Sequence, residues 1–472
     1  MRQSVRLLLP LLLLLAACDR GELLDNLPPE TRIFVDEINL SGPNRLNSVV
    51  RLHWLGEDQD GYVTGYQLSL DGTNWSFTTR TDSTFRFDLN PGSDTTDIDF
   101  YVRAIDNLEA LDPDPAYLRI PIRNTPPTAR FDTVNVLPDT TGLVWSLSWE
   151  VDDLDGFSTL DSVFIRINDG PWYTIRPEEN FASFLAEDPT QAGEQPLIPY
   201  LGLLSQPAQT PMQGVRVEGL NRMYLQARDI AGTLSLIDST KAFYLPRQGG
   251  NLLVIDAHGD AVADEVYFPI LDDIYPQYDY LDLLNNLPAY WSPTFSLLLQ
   301  QYDKVFWYGD DAQIVALGQQ LLLETAATSL QEYLNAGGKL FVTAKFPGPN
   351  TFDDPQDINR SAIFDFSPMD SLSTAPGQAR IRQDTLVRPT ATFAGNYPEL
   401  QVSTNITGAD PFYPKDPDNG MYTVALTTVG GWSGPNTVCA KAIYINGETN
   451  QVFWSLELHK LNAAVGGLKS MM

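Results

Sequence analysis

Cysteine is nearly absent from this chain: two in 472 residues. That excludes a disulfide scaffold and any Cys-rich zinc module. Histidine is scarcer than in most chains of this length, at three, and basic residues are half as numerous as acidic ones. Lys+Arg is 30 against Asp+Glu 60, a net charge of −30. So acidic a surface repels phosphate backbones, which argues against nucleic acid as a partner. There is no glycine loop that cradles phosphate and no Gly-x-Ser-x-Gly nucleophile elbow. What is present is ordinary core material: 43% hydrophobic and 19% charged residues. The length fits about three domains.

The first residues read as an export signal. Arg2 and Arg6 supply a positive start, and Leu7 to Leu15, interrupted by Pro10, is apolar but too short to span a bilayer. Leu15-Ala16-Ala17-Cys18 resembles the lipobox of bacterial lipoproteins. The resemblance implies that residues 1–17 are a signal peptide, that the Cys18 thiol receives a diacylglycerol, and that the new amino terminus is acylated with chains such as palmitate. Each buried CH₂ adds about 0.8 kcal/mol, so two or three chains anchor a protein where one does not. The blander reading is a secretory signal with a chance cysteine. On the lipoprotein reading the lipid bilayer is a partner through Cys18. The chain is then expected in the cell envelope, at the outer membrane or cell surface, with the inner membrane as the alternative. Residues 18–29 form a tether that ends in Pro28-Pro29.

The middle of the chain repeats itself. Arg51-Leu-His-Trp-Leu-Gly-Glu-Asp-Gln-Asp-Gly-Tyr62 matches Ser146-Leu-Ser-Trp-Glu-Val-Asp-Asp-Leu-Asp-Gly-Phe157, so Trp54 corresponds to Trp149. Phe100-Tyr-Val-Arg-Ala-Ile-Asp106 matches Met223-Tyr-Leu-Gln-Ala-Arg-Asp229 at a larger offset, which places an insertion in the second copy, from Pro177 to Gly214. Short runs with period-two alternation, such as Tyr66, Leu68 and Leu70, are separated by Asp-Gly and Pro-Gly turns. This is the pattern of half-buried antiparallel strands, with the early Trp expected between the sheets. Both copies resemble fibronectin type III or immunoglobulin-like modules of bacterial surface proteins, over residues 30–123 and 124–246. Asn124–Thr128 and Pro246–Gly250 read as hinges. The insertion is expected to cap its sandwich or dock the third domain, with an exposed patch for a partner as the alternative. Asp58-x-Asp60-Gly61 and Asp153-x-Asp155-Gly156 invite a calcium reading, but the third ligand and closing glutamate of an EF-hand are missing, and Asp and Gly make tight turns without metal.

The pattern changes at Gly250. Continuous apolar runs, Leu252 to Ile255, Lys304 to Gly309 and Lys339 to Ala344, suit buried parallel strands. They alternate with helical spacing over Ala261–Ile274, Phe295–Gln301 and Asp311–Asn335. Later strands are expected at Met421–Thr427, Val438–Ile445 and Gln451–Leu456. Alternating strands and helices imply a doubly wound sheet. Leu252-Leu-Val-Ile-Asp256, Tyr302-Asp-Lys-Val-Phe-Trp-Tyr308 and Leu330-Gln-Glu-Tyr-Leu-Asn-Ala-Gly-Gly-Lys-Leu-Phe-Val342 resemble the class I glutamine-amidotransferase-like fold, over residues 250–466. The whole is then expected to be a multidomain chain: two all-β sandwiches followed by an α/β flavodoxin-like domain, with residues 346–420 as a long loop.

The resemblance implies a Cys on the turn after the strand Lys339–Ala344 and a His followed two residues later by Glu. Here that turn is Thr343-Ala344-Lys345, and Leu461 stands two beyond His459, with Glu457 before it instead. Amidotransferase chemistry is therefore not expected, and Cys439 reads as a buried small hydrophobe. A second chemistry at the carboxyl ends of the strands would use Asp256, His258, Asp260, Asp310 and Asp311, as a hard-cation site or, with His258, Asp256 and Asp310, as an acid–base group. The competing reading is that these Asp residues cap helices. The expected function is a non-catalytic envelope lipoprotein, without cofactor, in which an immunoglobulin-like stalk presents a pseudo-amidotransferase-like domain to an envelope protein or a glycan. The alternative is a metal-assisted hydrolase of an extracellular polymer.

Overall fold

The computed structural model describes residues 25–35, 45–46, 48–87, 95–134, 136–203, 206–311, 313–314, 320–346, 361–443, 447–461 and 469. The leader, Cys18 and the start of the tether lie outside the described residues, as does 347–360 of the long loop. The chain is mostly β. It divides into two compact units. One runs to Thr128 and includes Asp152–Ser162 and Ala227–Ser235; the other holds the remainder.

In the first unit, β1 (Glu30–Val35), β2 (Val49–Glu57), β3 (Val63–Ser69), β4 (Ser76–Thr78), β5 (Asp82–Arg86), β6 (Thr95–Asp106) and β7 (Ala116–Arg123) form two sheets, β1-β2-β5 and β4-β3-β6-β7. Alternation sets the faces: Phe100, Val102 and Ala104 of β6 are buried with Leu52, Trp54, Tyr66, Ile120 and Ile122. Trp54 lies within this core, and its Nε1–H donates to the Arg80 carbonyl at 2.8 Å.

Asn124–Thr128 is not a loose hinge. Asn124 is buried and its amide donates to Asp229 at 2.5 Å and to Thr233 at 2.8 Å. The Thr125 N–H donates to Asp155 at 2.7 Å. These bonds satisfy polar groups that could not otherwise be buried without cost.

The second unit holds most of the second sandwich. Its strands are β8 (Thr128–Phe131), β9 (Val144–Asp152), β10 (Leu160–Ile167), β11 (Tyr173–Ile175), β12 (Phe181–Ala186), β13 (Gly193–Leu201), β14 (Met212–Val217), β15 (Gly219–Asn221), β16 (Met223–Asp229), β17 (Asp238–Ser239) and β18 (Phe243–Leu245). The sheets run β14-β13-β12-β9-β8 and β11-β10-β16-β17, with β15-β18 as a separate pair. The set 8-9-12 against 11-10-16-17 reproduces 1-2-5 against 4-3-6-7. Trp149 repeats the role of Trp54, buried and donating to the Glu179 carbonyl at 2.9 Å.

The strand order corrects the expected insertion. Phe181–Ala186 is the counterpart of β5, and the added material is the hairpin β13–β14 on its edge. The sequence concealed this because all six residues of β12 are buried, leaving no alternation to read. Ala182, Phe184 and Ala186 face the sandwich core, whereas Leu185 packs with Val144, Tyr200 and Leu297. The sheet is thus covered on both faces, and its outer cover is the segment around Tyr290–Leu298. Ser148 and Tyr290 hydroxyls are 3.0 Å apart, the Phe181 and Tyr290 rings meet edge to face at 4.7 Å, and Ser146 hydrogen-bonds Thr294. Pro246–Gly250 is also held: the Gln248 amide donates to the Gln301 carbonyl at 2.8 Å, and Gly249 N–H donates to Asp279.

The carboxy-terminal part contributes β19 (Leu252–Ala257), β20 (Asp279–Asp282), β21 (Lys304–Gly309), a hairpin β22–β23 (Gln313–Ile314, Gln320–Leu321) and β24 (Lys339–Ala344). Then follow β25 (Met369–Leu372), β26 (Gln378–Ile381), β27 (Leu386–Pro389), β28 (Leu400–Gln401), β29 (Ile406–Ala409), β30 (Phe412–Pro414), β31 (Gly420–Val424), β32 (Thr427–Val429), β33 (Thr437–Ile443) and β34 (Thr449–Trp454). Among the described residues the main sheet has nine strands, β20-β19-β21-β24-β34-β33-β31-β27-β28. The first five pair in parallel and the rest antiparallel, so the sheet is mixed.

Successive residues of β19 enter opposite cores. Leu253 and Ile255 join Phe295, Leu299, Leu322, Leu330 and Leu334, whereas Leu252 and Val254 join Ala263, Tyr267 and Leu271. The helix Val262–Ile274 therefore covers one face, with its buried residues at i, i+4 and i+8, and the helical segments Ser296–Leu299, Leu322–Thr325 and Ala327–Asn335 cover the other. The helix expected from Asp311 starts only at Leu322, because Gln313–Ile314 and Gln320–Leu321 pair as a hairpin.

Candidate functional site at the carboxyl ends of the parallel strands

β19 ends at Ala257, so His258 emerges at the carboxyl edge of the sheet. Its main-chain N–H donates to Asp256 Oδ1 at 2.8 Å, and the Tyr280 hydroxyl donates to the other Asp256 oxygen at 2.7 Å. Asp256 therefore shapes the turn, and burial raises its carboxyl above the usual carboxylate range. The His258 side chain is 7% exposed, and its Nε2 lies 3.0 Å from Glu457 Oε1, whose side chain is 6% exposed. Nδ1 of His258 is 3.1 Å from the Asp260 carbonyl.

Glu457 and His459 follow β34. Thr343 fixes that loop: its hydroxyl donates to the Leu456 carbonyl at 2.7 Å and accepts from Leu458 N–H at 3.0 Å. His459 N–H donates to the Tyr267 hydroxyl at 2.9 Å. The His459 and His258 rings meet edge to face, centroids 5.1 Å apart, and His459 Nδ1 is buried with no hydrogen-bond partner. Lys460 Nζ pairs with Glu457 Oε2.

Burial alone would raise the Glu457 carboxyl, but the bonds from His258 and Lys460 outweigh it and hold it at about 2. Burial would lower His258, yet the bond to Glu457 and the charge of Asp310 raise it. His459 is lowered to about 4, first by burial and then by the positive charges of His258 and Lys460, so its ring is neutral at pH 7.

The carboxylates expected to join His258 are used elsewhere. Asp260 accepts from Val262 N–H at 3.0 Å at the start of its helix, Asp310 accepts from Gly259 N–H at 3.0 Å, and Asp311 pairs with Lys345 at 2.7 Å. Asp256, Asp260, Asp310 and Asp311 thus serve turns, a helix start and an ion pair. Among the described residues, the one group with metal-ligand spacing is His258, Glu457 and His459, whose ligand atoms all lie within 4.8 Å of one another. Sequence reading passed over the pairing because His459 was measured against a His-x-Glu order, whereas the chain carries Glu457-x-His459. The usable signal was that both this pair and His258 follow parallel strands.

A second group was not legible at all. The stretch expected as a long loop over 346–420 instead carries β25 to β30, two of which, β27 and β28, extend the main sheet. Asp410, between β29 and β30, is buried, one of its oxygens lacks a partner, and burial pushes its carboxyl up to about 8 despite the charge of Lys345. Lys345 itself occupies the turn where the resemblance implies a nucleophile. Cys439 is fully buried within β33, and burial drives its thiol far up. In the Asp-x-Asp-Gly stretches the first Asp closes the turn: Asp153 accepts from Asp155 N–H and the Thr159 hydroxyl, both at 2.9 Å, and Asp58 accepts from Asp60 N–H at 3.3 Å, while Asp155 and Asp60 accept from other segments.

No protein-family model and no curated protein matches the chain. Solved structures similar to part of it include the fibronectin(III)-like modules of Clostridium thermocellum CbhA, 11% identical over 46% of this chain and 94% of that one, with a TM-score of 0.18. The central fibronectin-III array of RIM-binding protein is 12% identical over 45% and 97%, with a TM-score of 0.16. The chicken CNTN1 FN1-FN3 domains are 13% identical over 47% and 99%, also at 0.16. The sandwiches are fibronectin type III-like or immunoglobulin-like, as their repeated three-plus-four strand order shows without help from these scores.

Proposed function

We propose that this chain is a lipid-anchored envelope protein in which the sandwiches carry a non-catalytic, class I amidotransferase-like domain that binds an extracytoplasmic protein or glycan. The anchor reading rests on Arg2, Arg6, the apolar run and Leu15-Ala16-Ala17-Cys18. Among the described residues, no helix is long and apolar enough to cross a membrane. The α/β reading of the third domain is supported by five parallel strands in the order second, first, third, fourth, fifth, with helices against both faces. One observation carries the non-catalytic reading: Lys345, paired with Asp311, stands where that family's nucleophile belongs, while Cys439 is sealed in β33. A thiol so placed is neither ionised nor reachable.

The test is radiolabelled palmitate incorporation and membrane fractionation of the full chain beside Cys18→Ser, with glutamine hydrolysis assayed on the same preparations. The expected result is label and membrane partition for the parent, neither for Cys18→Ser, and no glutaminase activity in either. An unlabelled parent that fractionates with the cytosol overturns the anchor, and turnover of glutamine overturns the non-catalytic reading.

A further inference from the structure

The chain has only three histidines, and two of them meet in one buried cluster with a glutamate. A buried ion pair between His258 and Glu457, closed by Lys460, accounts for three of the four side chains here. It leaves His459 without a role, with a ring nitrogen that is buried and unpartnered. A buried acceptor or donor left unmade is unfavourable, and its presence beside two other ligating atoms calls for a reason.

We propose that His258, Glu457 and His459 form a binding site for a divalent first-row transition metal ion such as Zn²⁺. Two imidazole nitrogens and one carboxylate oxygen are the donors that such ions take, and three protein donors leave a position open for water or a ligand. In a tetrahedral site donors sit about 3.3 Å apart. His258 Nε2 and Glu457 Oε1 already stand at 3.0 Å, and all three donors lie within 4.8 Å, so the third has to close by about 1.5 Å at most.

The supporting groups suit an ion. His258 Nδ1 lies 3.1 Å from the Asp260 carbonyl and 3.0 Å from the Asp260 N–H, so the Asp260 main chain holds the ring in place, and the carbonyl can take the N–H of the tautomer whose Nε2 ligates an ion. Lys460 holds the second oxygen of Glu457, and the Tyr267 hydroxyl fixes the main chain at His459. Thr343 pins the loop that carries both donors. This inference uses only the cluster, and stands whether or not the chain is lipid-anchored.

The experiment strips the full chain with a chelator, then titrates it with Zn²⁺ by calorimetry and with Co²⁺ by visible absorption. The expected result is one equivalent bound at micromolar Kd or tighter, with Co²⁺ giving the intense bands of four- or five-coordination. His258→Ala and His459→Ala each weaken it at least 100-fold and Glu457→Gln at least 10-fold, while His53→Ala leaves it unchanged. Circular dichroism checks that each variant is folded. Should one fail to fold, long-range ¹H–¹⁵N spectra of the parent decide: Zn²⁺ must shift two imidazoles and spare the third. Binding no tighter than that of a generic acidic surface, or equal in parent and variants, or a spectrum in which the imidazoles do not move, shows a buried ion pair only and overturns the site.

Discussion

Ser48 donates to Asp155 twice, from its hydroxyl and from its main-chain N–H, although 107 residues separate them. Asp155 is fully buried, and its other oxygen accepts from Thr125 N–H. One carboxylate therefore fastens the residue before β2 and the connecting segment to the Asp-x-Asp-Gly turn of the second repeat. Asp155→Ala orphans these donors and lowers the stability of the first compact unit by roughly 2–4 kcal/mol. Urea denaturation reads the loss. Limited proteolysis followed by mass spectrometry should find new cleavage at residues 124–128, and a variant as resistant as the parent refutes the fastening role.

Trp54 and Trp149 occupy equivalent strands, and both indoles donate to a carbonyl on the neighbouring connection. Trp54→Phe and Trp149→Phe each remove that bond and part of the packed ring. Each is expected to cost about 1–3 kcal/mol. Thermal melts of the two variants, and of the pair, measure whether the losses are similar in size and additive. A loss confined to one of them shows that the repeated sequence does not carry a repeated role.

That pairing was legible because a strand with one wet face alternates visibly, and because Trp followed by Asp-x-Asp-Gly recurs in register. The parallel strands around Ile255, Trp307 and Val342 were legible too, as apolar runs bounded by turns. What stayed hidden depended on contacts distant in the chain. Phe181–Ala186 shows no alternation because Leu185 is buried against Leu297 on the outer face. The meeting of His258 with Glu457 spans 199 residues, and no local pattern announces it. For Asp256, Asp260 and Asp310 the sequence left the cation and the capping readings side by side, because the main-chain N–H groups that bond them carry no sequence signal.

Leu297 is buried among Val144, Leu185 and Tyr200, and joins the outer face of the second sandwich to the third domain. Leu297→Ala leaves a cavity at that joint and is expected to cost roughly 2–4 kcal/mol. Because both sides share the loss, near-ultraviolet circular dichroism and calorimetry should show the sandwich and the carboxy-terminal sheet still melting together, at a lower temperature. A variant in which the sandwich keeps the parent's melting temperature contradicts the joint.

Asp410 gives the clearest pH dependence. Burial raises its carboxyl to about 8 in the folded chain, against an ordinary value of 3.8. The folded state therefore holds a proton that the unfolded state has released between pH 4 and pH 8. Across that window its contribution to stability falls as pH rises, and above pH 8 the loss is complete. Asparagine keeps an oxygen for the Phe346 N–H and never carries the charge, and Lys345 retains Asp311. Asp410→Asn should match the parent within about 1 kcal/mol at pH 5 and exceed it by roughly 2–4 kcal/mol at pH 9. Urea denaturation of both proteins at pH 5, 7 and 9 decides the matter: a difference that stays constant with pH means the carboxyl of Asp410 does not titrate where its burial places it.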